Sequence, residues 1–373
     1  MKTSELKDLK IAIVGGGYGG AAAAIALRNI GAGNVHVYEQ APALGQVGAG
    51  IGLRPITVEL FRRWGIFEEI AAVSSPSDYL EILSADGQQV YAQEVWPQLN
   101  DFDQPNHTRI IHRGDFIDAL LGVLPAEMVH MGHKLTGIKD DGDAATLTFE
   151  NGNTVTADLV IGADGIRSLI RKELFSDNEP IFAGEHAYRA VISADNAFGL
   201  GVEDDNPRFY MGDNGTIAYN LPLRHRNQLS YDITTRSEDG SWAPVITNDY
   251  LVSLLDGFDE RIVDIARNLD ISQVTSRSVF DIDPVDNWHT DSVALLGDSA
   301  HAMLHHQGQG ANSAIQDAAG LADALLQADS VKEALTQYQA IRKPVTDELQ
   351  RLSRLGWNPG SVETAFPEQT PAK

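Results

Sequence analysis

Three glycine-rich turns, far apart in the chain, each follow an apolar run that has the character of a buried strand. The turns are Gly15-x-Gly17-x-x-Gly20 after residues 11–14, Gly162-Ala163-Asp164-Gly165 after 159–161, and Gly297-Asp298 after 293–296. One such turn is a weak signal. Three turns in this order predict a single extended ligand that is held along its whole length.

The first turn has the spacing of a dinucleotide-binding βαβ unit. Its glycines permit a tight turn, close approach of the backbone to a diphosphate and close packing of helix on strand. The helix predicted over 18–31 would present unpaired N–H groups and its positive dipole end to that diphosphate. Glu39 lies 19 residues after Gly20, where a carboxylate can bind ribose hydroxyls and disfavours a 2′-phosphate. The turn therefore predicts FAD or NAD rather than NADP, and a purely structural turn is the alternative.

The second and third turns add polar groups that such a ligand can use. Ser168 and Arg171 lie on the first turns of the helix that follows Asp164. Arg171 is expected to face an anionic group; the alternative is a capped helix on which Arg171 forms a surface ion pair. Asp298 ends its apolar strand, which places a carboxylate near sugar-like hydroxyls. The stretch 308–312 opens a helix whose N–H groups can face a polarised ring oxygen. Together the three turns indicate a flavin dinucleotide.

The remaining pattern predicts an α/β protein with a second, mainly β region. Turn signals at Asp86-Gly87 and Asn151-Gly152 predict hairpins, and the Gly/Pro-rich stretch 41–55 predicts a loop that approaches a ligand. Strand-like segments dominate from about 181 to 282, with one helical interruption near 248–267. The predicted organisation is a discontinuous FAD-binding domain over 1–78, 100–180 and 283–330, a substrate domain over 79–99 and 181–282, a C-terminal helix over 331–355 and a flexible tail over 356–373.

Composition restricts the partners and the location. The formal net charge is −24, which argues against a nucleic-acid or anionic-membrane partner because both need a basic face. The N-terminus is polar, no signal peptide is visible, and the absence of cysteine excludes disulfides and thiolate catalysis. We expect a cytoplasmic monomer or homodimer that binds neither nucleic acid nor membrane. The histidines have no partner spacing that predicts a metal site.

The sequence resembles the single-component (group A) FAD-dependent aromatic hydroxylases, the family of salicylate hydroxylase, 3-hydroxybenzoate 6-hydroxylase and 6-hydroxynicotinate 3-monooxygenase. The resemblance spans residues 10–355 and rests on GGGYGG at 15–20, GAGI at 48–51, IHRGDF at 111–116, GADGIRSLIR at 162–171, and GDSAHAM with GQGAN over 297–312. It implies a Rossmann-like FAD-binding domain of the para-hydroxybenzoate-hydroxylase type, an interleaved and mainly antiparallel β-sheet substrate domain, and C-terminal helices.

The resemblance also implies an activity. NADH or NADPH reduces FAD, O2 adds to give a C4a-hydroperoxide, and a small aromatic or N-heteroaromatic substrate is hydroxylated. The lack of a second Rossmann motif fits transient binding of the reductant. Two alternatives stay open: epoxidation or hydroxylation of a larger polycyclic or purine-like metabolite, and a flavoprotein reductase that does not hydroxylate.

Site residues follow from the same resemblance. The positions that would bind FAD are Gly15, Gly17, Tyr18, Gly20, Glu39, Gln40, Arg113, Asp164, Asp298, Gly308, Gly310, Ala311 and Asn312. His305 would steer oxygen transfer or act as an acid or base, or else only pack in its loop. Arg54 would pair with a substrate carboxylate, or else contact FAD or the surface. Tyr219 is the nearest candidate for the residues that some hydroxybenzoate hydroxylases use on the substrate sheet. The pair Tyr188-Arg189 resembles the aromatic–arginine pair with which that sheet begins in the family.

Overall fold

The structure is a computed structural model that describes Met1 and residues 3–43, 48–95, 107–201 and 204–356, without the side chains of Thr3 and Ser4. The strands are β1 (Lys10–Val14), β2 (Asn34–Tyr38), β3 (Gly50–Leu53), β4 (Ser74–Ser77), β5 (Tyr79–Ser84), β6 (Val90–Val95), β7 (Thr108–His112), β8 (Val129–His130), β9 (Leu135–Asp140), β10 (Ala145–Phe149), β11 (Thr154–Ala157), β12 (Leu159–Gly162), β13 (Ile181–Ser193), β14 (Arg208–Met211), β15 (Ile217–Leu223), β16 (Gln228–Arg236), β17 (Thr275–Asp281) and β18 (Val293–Leu295). The helices are α1 (Thr3–Asp8), α2 (Tyr18–Asn29), α3 (Pro55–Arg63), α4 (Phe67–Ala72), α5 (Arg113–Gly122), α6 (Leu169–Leu174), α7 (Asn248–Ser253), α8 (Glu260–Asn268), α9 (Asp298–His301), α10 (Gly310–Gln327) and α11 (Val331–Ser353).

Contacts divide the chain into two compact units. The parallel-sheet unit comprises residues 1–44, 117–181 and 280–373, and the antiparallel-sheet unit comprises residues 45–116 and 182–279. The predicted boundaries differ, because they assign 45–78 and 100–116 to the FAD-binding domain. The described residues of those segments cluster with the antiparallel sheet instead, since β3 pairs with β7 and the N–H of Gly50 donates to Ser230 Oγ at 2.8 Å. The predicted tail lies outside the described residues from position 357 onward.

The main sheet of the parallel-sheet unit has the order β18-β12-β1-β2-β8, and every pairing in it is parallel. The residues of β12 and β18 are all buried, as expected for strands whose sheet is covered on both faces. The alanine-rich stretch 21–24 of α2 has no exposed surface, and α2 packs closely against α10. Since the strands are parallel, their carboxyl ends meet at one edge of this sheet.

The antiparallel-sheet unit is built on a sheet of order β17-β13-β16-β15-β14-β5-β6, in which β14 and β5 pair in parallel. Residues from one face of this sheet, among them Tyr188, Tyr210 and Tyr231, form a buried core with residues from α7 and α8. Side chains alternate between faces along a strand. The opposite face therefore carries Arg189 and Asp232.

Most predicted elements are confirmed, including both hairpins, whose turn residues Gly87 and Gly152 have φ of +69° and +84°. Two predictions were wrong in part. The stretch 41–55 contains a strand, β3, and the single helix near 248–267 is two helices, separated by a turn in which Gly257 has φ +78°. None of the helices in the described part of the chain combines the length and apolar character that a bilayer span requires.

Candidate active site

The three glycine-rich turns come together at the carboxyl edge of the parallel sheet. The N–H of Ala163, at the start of the second turn, donates to the carbonyl of Val14 at 2.8 Å. The N–H of Leu296, just before the third turn, donates to the carbonyl of Gly162 at 2.9 Å. The residues predicted to serve one ligand are thus neighbours in space, although they are separated by more than a hundred positions in the chain.

Within the first turn, two glycines are required by the fold and one is not. A Cβ at Gly15, where φ is +107°, would lie 2.2 Å from the carbonyl oxygen of Ala163, and a Cβ at Gly20 would lie 1.9 Å from the carbonyl oxygen of Gly15. Gly17 has φ −72°, and a Cβ there meets no described atom within 4 Å. The packing of the described residues therefore does not by itself require glycine at position 17.

Helices α2 and α10 begin at the first turn and at the stretch 308–312, and they differ from other helices in how their first N–H groups are capped. Ser168, Thr247, Asp259 and Ser330 each accept a hydrogen bond from the first turn of α6, α7, α8 and α11 respectively. Among the described residues, no side chain caps α2 or α10 in this way. Their first N–H groups and positive dipole ends are suited to an anionic or polarised oxygen. This arrangement fits the diphosphate and the ring oxygen of a flavin dinucleotide.

Glu39 is held at the end of β2 by backbone donors. Its Oε2 accepts from the N–H of Gly16 at 2.6 Å and its Oε1 from the N–H of Ala41 at 2.8 Å. Gln40, beside it, is exposed, and Tyr18 is the first residue of α2. The carboxylate is thus oriented next to the first turn, as a ribose-binding acid needs to be.

The second turn is a helix cap built on Asp164. Its carboxylate accepts from Ser168 Oγ at 2.5 Å and from the N–H of Leu169 at 2.8 Å, and burial raises its pKa while these bonds oppose the rise. Arg171 is buried, and its guanidinium donates to the carbonyls of Ser299 at 3.0 Å and Ile166 at 2.5 Å. Both terminal nitrogens of Arg171 thus donate to backbone carbonyls and tie the second turn to the third, where the sequence analysis expected an anionic group or a surface ion pair.

The third turn is supported from behind by a buried carboxylate that the sequence analysis missed. Asp317 Oδ2 accepts from the N–H of Gly297 at 3.1 Å and from His301 Nε2 at 2.6 Å, and its Oδ1 accepts from Arg342 Nε at 2.7 Å. Burial would raise the pKa of Asp317, but His301 and Arg342 outweigh it and the net shift is downward. Asp298, by contrast, is exposed at the first position of α9.

The loop between α9 and α10 is fixed to the end of α11. His306 Nδ1 lies 2.6 Å from the carbonyl oxygen of Ser353, and the N–H of Leu304 donates to Ser353 Oγ at 3.2 Å. Asn312 Nδ2 donates to the carbonyl of Gly308 at 3.1 Å, so the side chain of Asn312 shapes the loop. His305 is partly buried beside His306, with their ring centroids 4.8 Å apart.

In the antiparallel-sheet unit, polar and aromatic side chains form a row across four strands. Arg189 pairs with Asp232, Asp232 with Tyr219, and Tyr219 with Phe209 in register. Arg189 Nε lies 3.2 Å from Asp232 Oδ1, and Ser230 Oγ donates to Asp232 Oδ2 at 2.8 Å. The ring of Phe209 stacks on Tyr219 at 5.1 Å.

Burial governs the electrostatics of this row. Burial raises the pKa of Asp232 to about 6, against the opposing effects of Arg189, Ser230 and Tyr219. Burial also raises the pKa of Tyr219, so its phenol is neutral. Asp232 was missed by the sequence analysis, yet a signal existed: polar residues at 230, 232 and 234 alternate with apolar ones at 229, 231 and 233, which marks a polar face on a buried strand.

The two predicted arginines also lie in the antiparallel-sheet unit. Burial lowers the pKa of Arg54 to about 10, with Glu94 opposing the shift, and Arg54 directly precedes α3. Arg113 is exposed at the start of α5, where its N–H donates to the carbonyl of Ala49 at 3.0 Å. A Cβ on Gly48 would lie 2.6 Å from the Cβ of Arg113, so the GAGI and HRGD motifs are in close contact.

Comparison with known proteins agrees with this geometry. A family model described as "FAD binding domain" matches residues 8–353. The chain belongs to this family. Its relatives include 6-hydroxynicotinate 3-monooxygenase from Pseudomonas fluorescens, 32% identical over 92% of this chain and 90% of the relative. They also include 3-amino-4-hydroxybenzoate 2-monooxygenase from Streptomyces cremeus, 31% identical over 93% and 86% respectively.

Solved structures of the family have the same fold. HpxO from Klebsiella pneumoniae, complexed with FAD and uric acid, aligns with a TM-score of 0.81 at 21% identity, covering 97% of this chain and 90% of that one. A salicylate hydroxylase substrate complex aligns with a TM-score of 0.76 at 25% identity, covering 98% and 90%. The family member described here is an FAD-dependent aromatic monooxygenase that uses NAD(P)H and O2, which confirms the predicted fold, cofactor and enzyme class.

Proposed function

We propose that this monooxygenase hydroxylates a small aromatic or N-heteroaromatic ring that already carries a hydroxyl group, and that Tyr219 contacts the substrate. The observation that carries the proposal is the row of Arg189, Asp232 and Tyr219 on one face of the antiparallel sheet. A polar row of this kind suits a hydroxylated ring better than an apolar polycycle. Relatives at 31–32% identity are named for hydroxylated benzoate and nicotinate substrates, which supports the same class.

For the cofactor, we propose that the parallel-sheet unit holds FAD through the predicted residues of its three turns. Gly17 leaves space for the diphosphate at the uncapped start of α2, and Glu39 binds the ribose. Asp298 binds the ribityl chain, and the start of α10 faces the ring oxygen. Bound FAD supplies the redox chemistry, taking a hydride from NAD(P)H and passing one oxygen atom of O2 to the ring. Arg113 keeps its predicted role as a flavin-side arginine.

For the substrate, we propose that Arg54 binds a carboxylate where the substrate has one. Strand β3 leads directly into Arg54, and the same strand contacts Ser230 through Gly50. Arg54 thus lies four positions after Gly50, whose N–H donates to Ser230, and Ser230 in turn donates to Asp232. A guanidinium can bind a carboxylate bidentately, which orients a planar ring. His305 is proposed as the residue of the α9–α10 loop that influences how well NAD(P)H oxidation is coupled to hydroxylation.

The substrate class is tested by titrating the purified FAD-loaded enzyme with hydroxylated benzoates, pyridines and purines and following the flavin spectrum. The compound that binds is then turned over with NAD(P)H under 18O2, and the product mass is measured. One added 18O in a hydroxylated benzoate or pyridine supports the proposal. Label only in a purine product favours the larger-metabolite alternative, and peroxide release with no labelled product favours a reductase.

The flavin site is tested by Gly17→Ala. The added methyl meets no described protein atom within 4 Å, so the fold is expected to persist, while the dissociation constant for FAD rises about tenfold or more because the methyl stands where the diphosphate approaches. Gly122→Ala is the matched control, since a methyl there is equally free of contacts. Equal FAD affinity in both variants would contradict the proposed diphosphate site.

A further inference from the structure

We propose that His36 and His130 form a binding site for a divalent transition-metal ion of the class of Zn²⁺ and Ni²⁺ at the edge of the parallel sheet. The inference does not depend on the substrate or on the flavin, because neither histidine has a part in the proposed function. The spacing of the histidines in the chain does not predict the site, since the two residues are 94 positions apart. Strand pairing brings them together.

The two imidazoles face each other across neighbouring strands. His36 lies on β2 and His130 on β8, and the register pairs Tyr38 with His130. Alternate residues of a strand share a face of the sheet, so His36 and His130 lie on the same face. His36 Nδ1 is 3.0 Å from His130 Nε2. Two imidazole nitrogens that bind one ion at about 2.0–2.1 Å are about 2.9–3.4 Å apart, so the pair already has the separation that chelation needs.

Packing and protonation both favour His130 as a metal ligand. Its ring stacks on Tyr38 with the centroids 4.9 Å apart, and Tyr38 stacks in turn on Phe149 at 5.1 Å, which fixes the plane of the imidazole. Burial lowers the pKa of His130, and the neighbouring His36 and His133 lower it further. The imidazole of His130 is therefore neutral at pH 7, and the neutral form is the one that binds a metal.

The exchange of the hydrogen bond for a metal needs only a local change. In the metal-free pair, one of the two facing nitrogens donates a proton to the other. On metal binding this proton moves to the far nitrogen of its own ring, because the ion takes the lone pair of each facing nitrogen. Each ring also turns so that its lone pair points at the ion. Both side chains are half-buried, which leaves room for this rotation and for water on the ion.

A third imidazole, that of His133, lies beside the pair, but both of its ring nitrogens already have partners. Its Nδ1 is 2.9 Å from the carbonyl oxygen of Met131, and its Nε2 is 3.0 Å from Asn153 Nδ2. The ring centroids of His133 and His130 are 5.8 Å apart. The proposed site therefore has two protein ligands, His36 and His130, and water completes the coordination.

The chemistry of the two ligands selects the class of ion, and the place of β8 in the sheet gives the ion an effect. Imidazole nitrogen suits Zn²⁺ and Ni²⁺, whereas Mg²⁺ and Ca²⁺ prefer oxygen ligands. The net charge of −24 attracts cations to the protein. Strand β8 has two residues and forms one edge of the parallel sheet. An ion held by His36 and His130 links this short edge strand to β2 and so stabilises the folded protein.

The first test is calorimetric titration of the FAD-loaded enzyme with ZnCl2, and separately with NiCl2, in a buffer that does not bind metals. Four proteins are compared: the wild type, His36→Asn, His130→Asn and the control His133→Asn. We expect the wild type and His133→Asn to bind the ion equally well. The dissociation constant should rise about tenfold or more in His36→Asn and in His130→Asn, because losing a ligand weakens binding at least as much as losing a group that orients one.

Ions that bind elsewhere on this acidic protein contribute equally in all four proteins, so the comparison isolates the proposed site. The absence of saturable binding by the wild type at millimolar ion would overturn the proposal. Unchanged affinity in His36→Asn and His130→Asn would overturn it too. An equal loss in His133→Asn would overturn the assignment of two ligands, because it would indicate a general disturbance of the cluster.

The second test is thermal unfolding of the same four FAD-loaded proteins with and without ZnCl2. Unfolding without the ion also shows that each variant is folded, and His130→Gln replaces His130→Asn if the latter is not. We expect the ion to raise the unfolding midpoint of the wild type and of His133→Asn, and to leave that of His36→Asn and His130→Asn unchanged, because only a folded site with both ligands binds it. An equal rise in all four proteins would place the ion elsewhere and overturn the proposal.

Discussion

Asp317 and Asp232 are both buried carboxylates, 0% and 1% exposed respectively, one in each unit of the enzyme. Asp317 is paired with the side chains of His301 and Arg342 and with a backbone N–H. Asp232 is paired with one arginine and accepts a hydrogen bond from the hydroxyl of Ser230. The pKa of Asp317 is shifted downward, whereas the pKa of Asp232 is raised to about 6.

The comparison shows that burial alone does not decide what a carboxylate does. Removing the charge from water disfavours the ionised form at both sites. Their partners differ, because Asp317 contacts His301 and Arg342, whose side chain is 8% exposed, whereas the arginine beside Asp232, Arg189, is 36% exposed. Asp317 is therefore a permanent anion that holds the third turn, and Asp232 is a group whose charge can change.

The largest expected effect is the loss of stability in Asp317→Asn. The variant leaves Arg342 buried without its counter-charge, so we expect the free energy of unfolding at pH 7.5 to fall by about 3–5 kcal/mol in urea titrations. The control is Asp291→Asn, because the Asp291 carboxylate pairs with Lys332 at the surface at 3.0 Å. Its loss should lower the free energy of unfolding by about 1 kcal/mol or less.

The same variant has a pH signature. The folded pKa of Asp317 lies below its unfolded value, so its stabilisation is complete above about pH 4 and is lost as the pH falls through the folded pKa. The stability difference between wild type and Asp317→Asn should therefore shrink in acid. If Asp317→Asn lowers the free energy of unfolding at pH 7.5 by less than about 1 kcal/mol, the contacts of Asp317 are no stronger than a surface ion pair.

The second-largest expected effect is a gain in stability, in Asp232→Asn. The folded pKa of about 6 lies above the ordinary value of 3.8, so folding favours the protonated acid and wild-type stability falls as the pH rises through this window. We expect the variant to match the wild type at pH 4 and to be more stable by about 3 kcal/mol at pH 7. Thermal unfolding against pH measures the difference, and a variant that is less stable at pH 7 would contradict it.

The smallest effect concerns Arg189→Gln. Arg189 lowers the pKa of Asp232 against the effect of burial, so its loss should move the pH window in which stability falls to higher pH. Below that window the free energy of unfolding should change little, because the arginine is partly exposed. Thermal unfolding against pH measures the position of the window. A window that stays in place would show that Arg189 does not lower the pKa of Asp232.

Local chemistry explains what was predictable. Gly15 and Gly297 have positive φ, and few residues other than glycine adopt that conformation readily, so the turns were visible in the chain itself. Helix α10 begins at Gly310, within the stretch 308–312 that was predicted to open a helix, because a glycine-rich entry and a run of helix formers specify it locally. The cofactor, the reaction type and the two-part architecture followed from such motifs and their order.

What required the tertiary structure were the partners of the buried acids. Asp232 lies 43 positions from Arg189 and 13 from Tyr219, and Asp317 lies 25 positions from Arg342. Nothing near either aspartate in the chain distinguishes a fixed anion from a proton acceptor. Strand register brings Arg189 to the first, and helix packing brings Arg342 and His301 to the second. The sequence by itself determined the flavin turns, whereas only folding decided which buried carboxylate keeps its charge, because a pKa depends on neighbours in space.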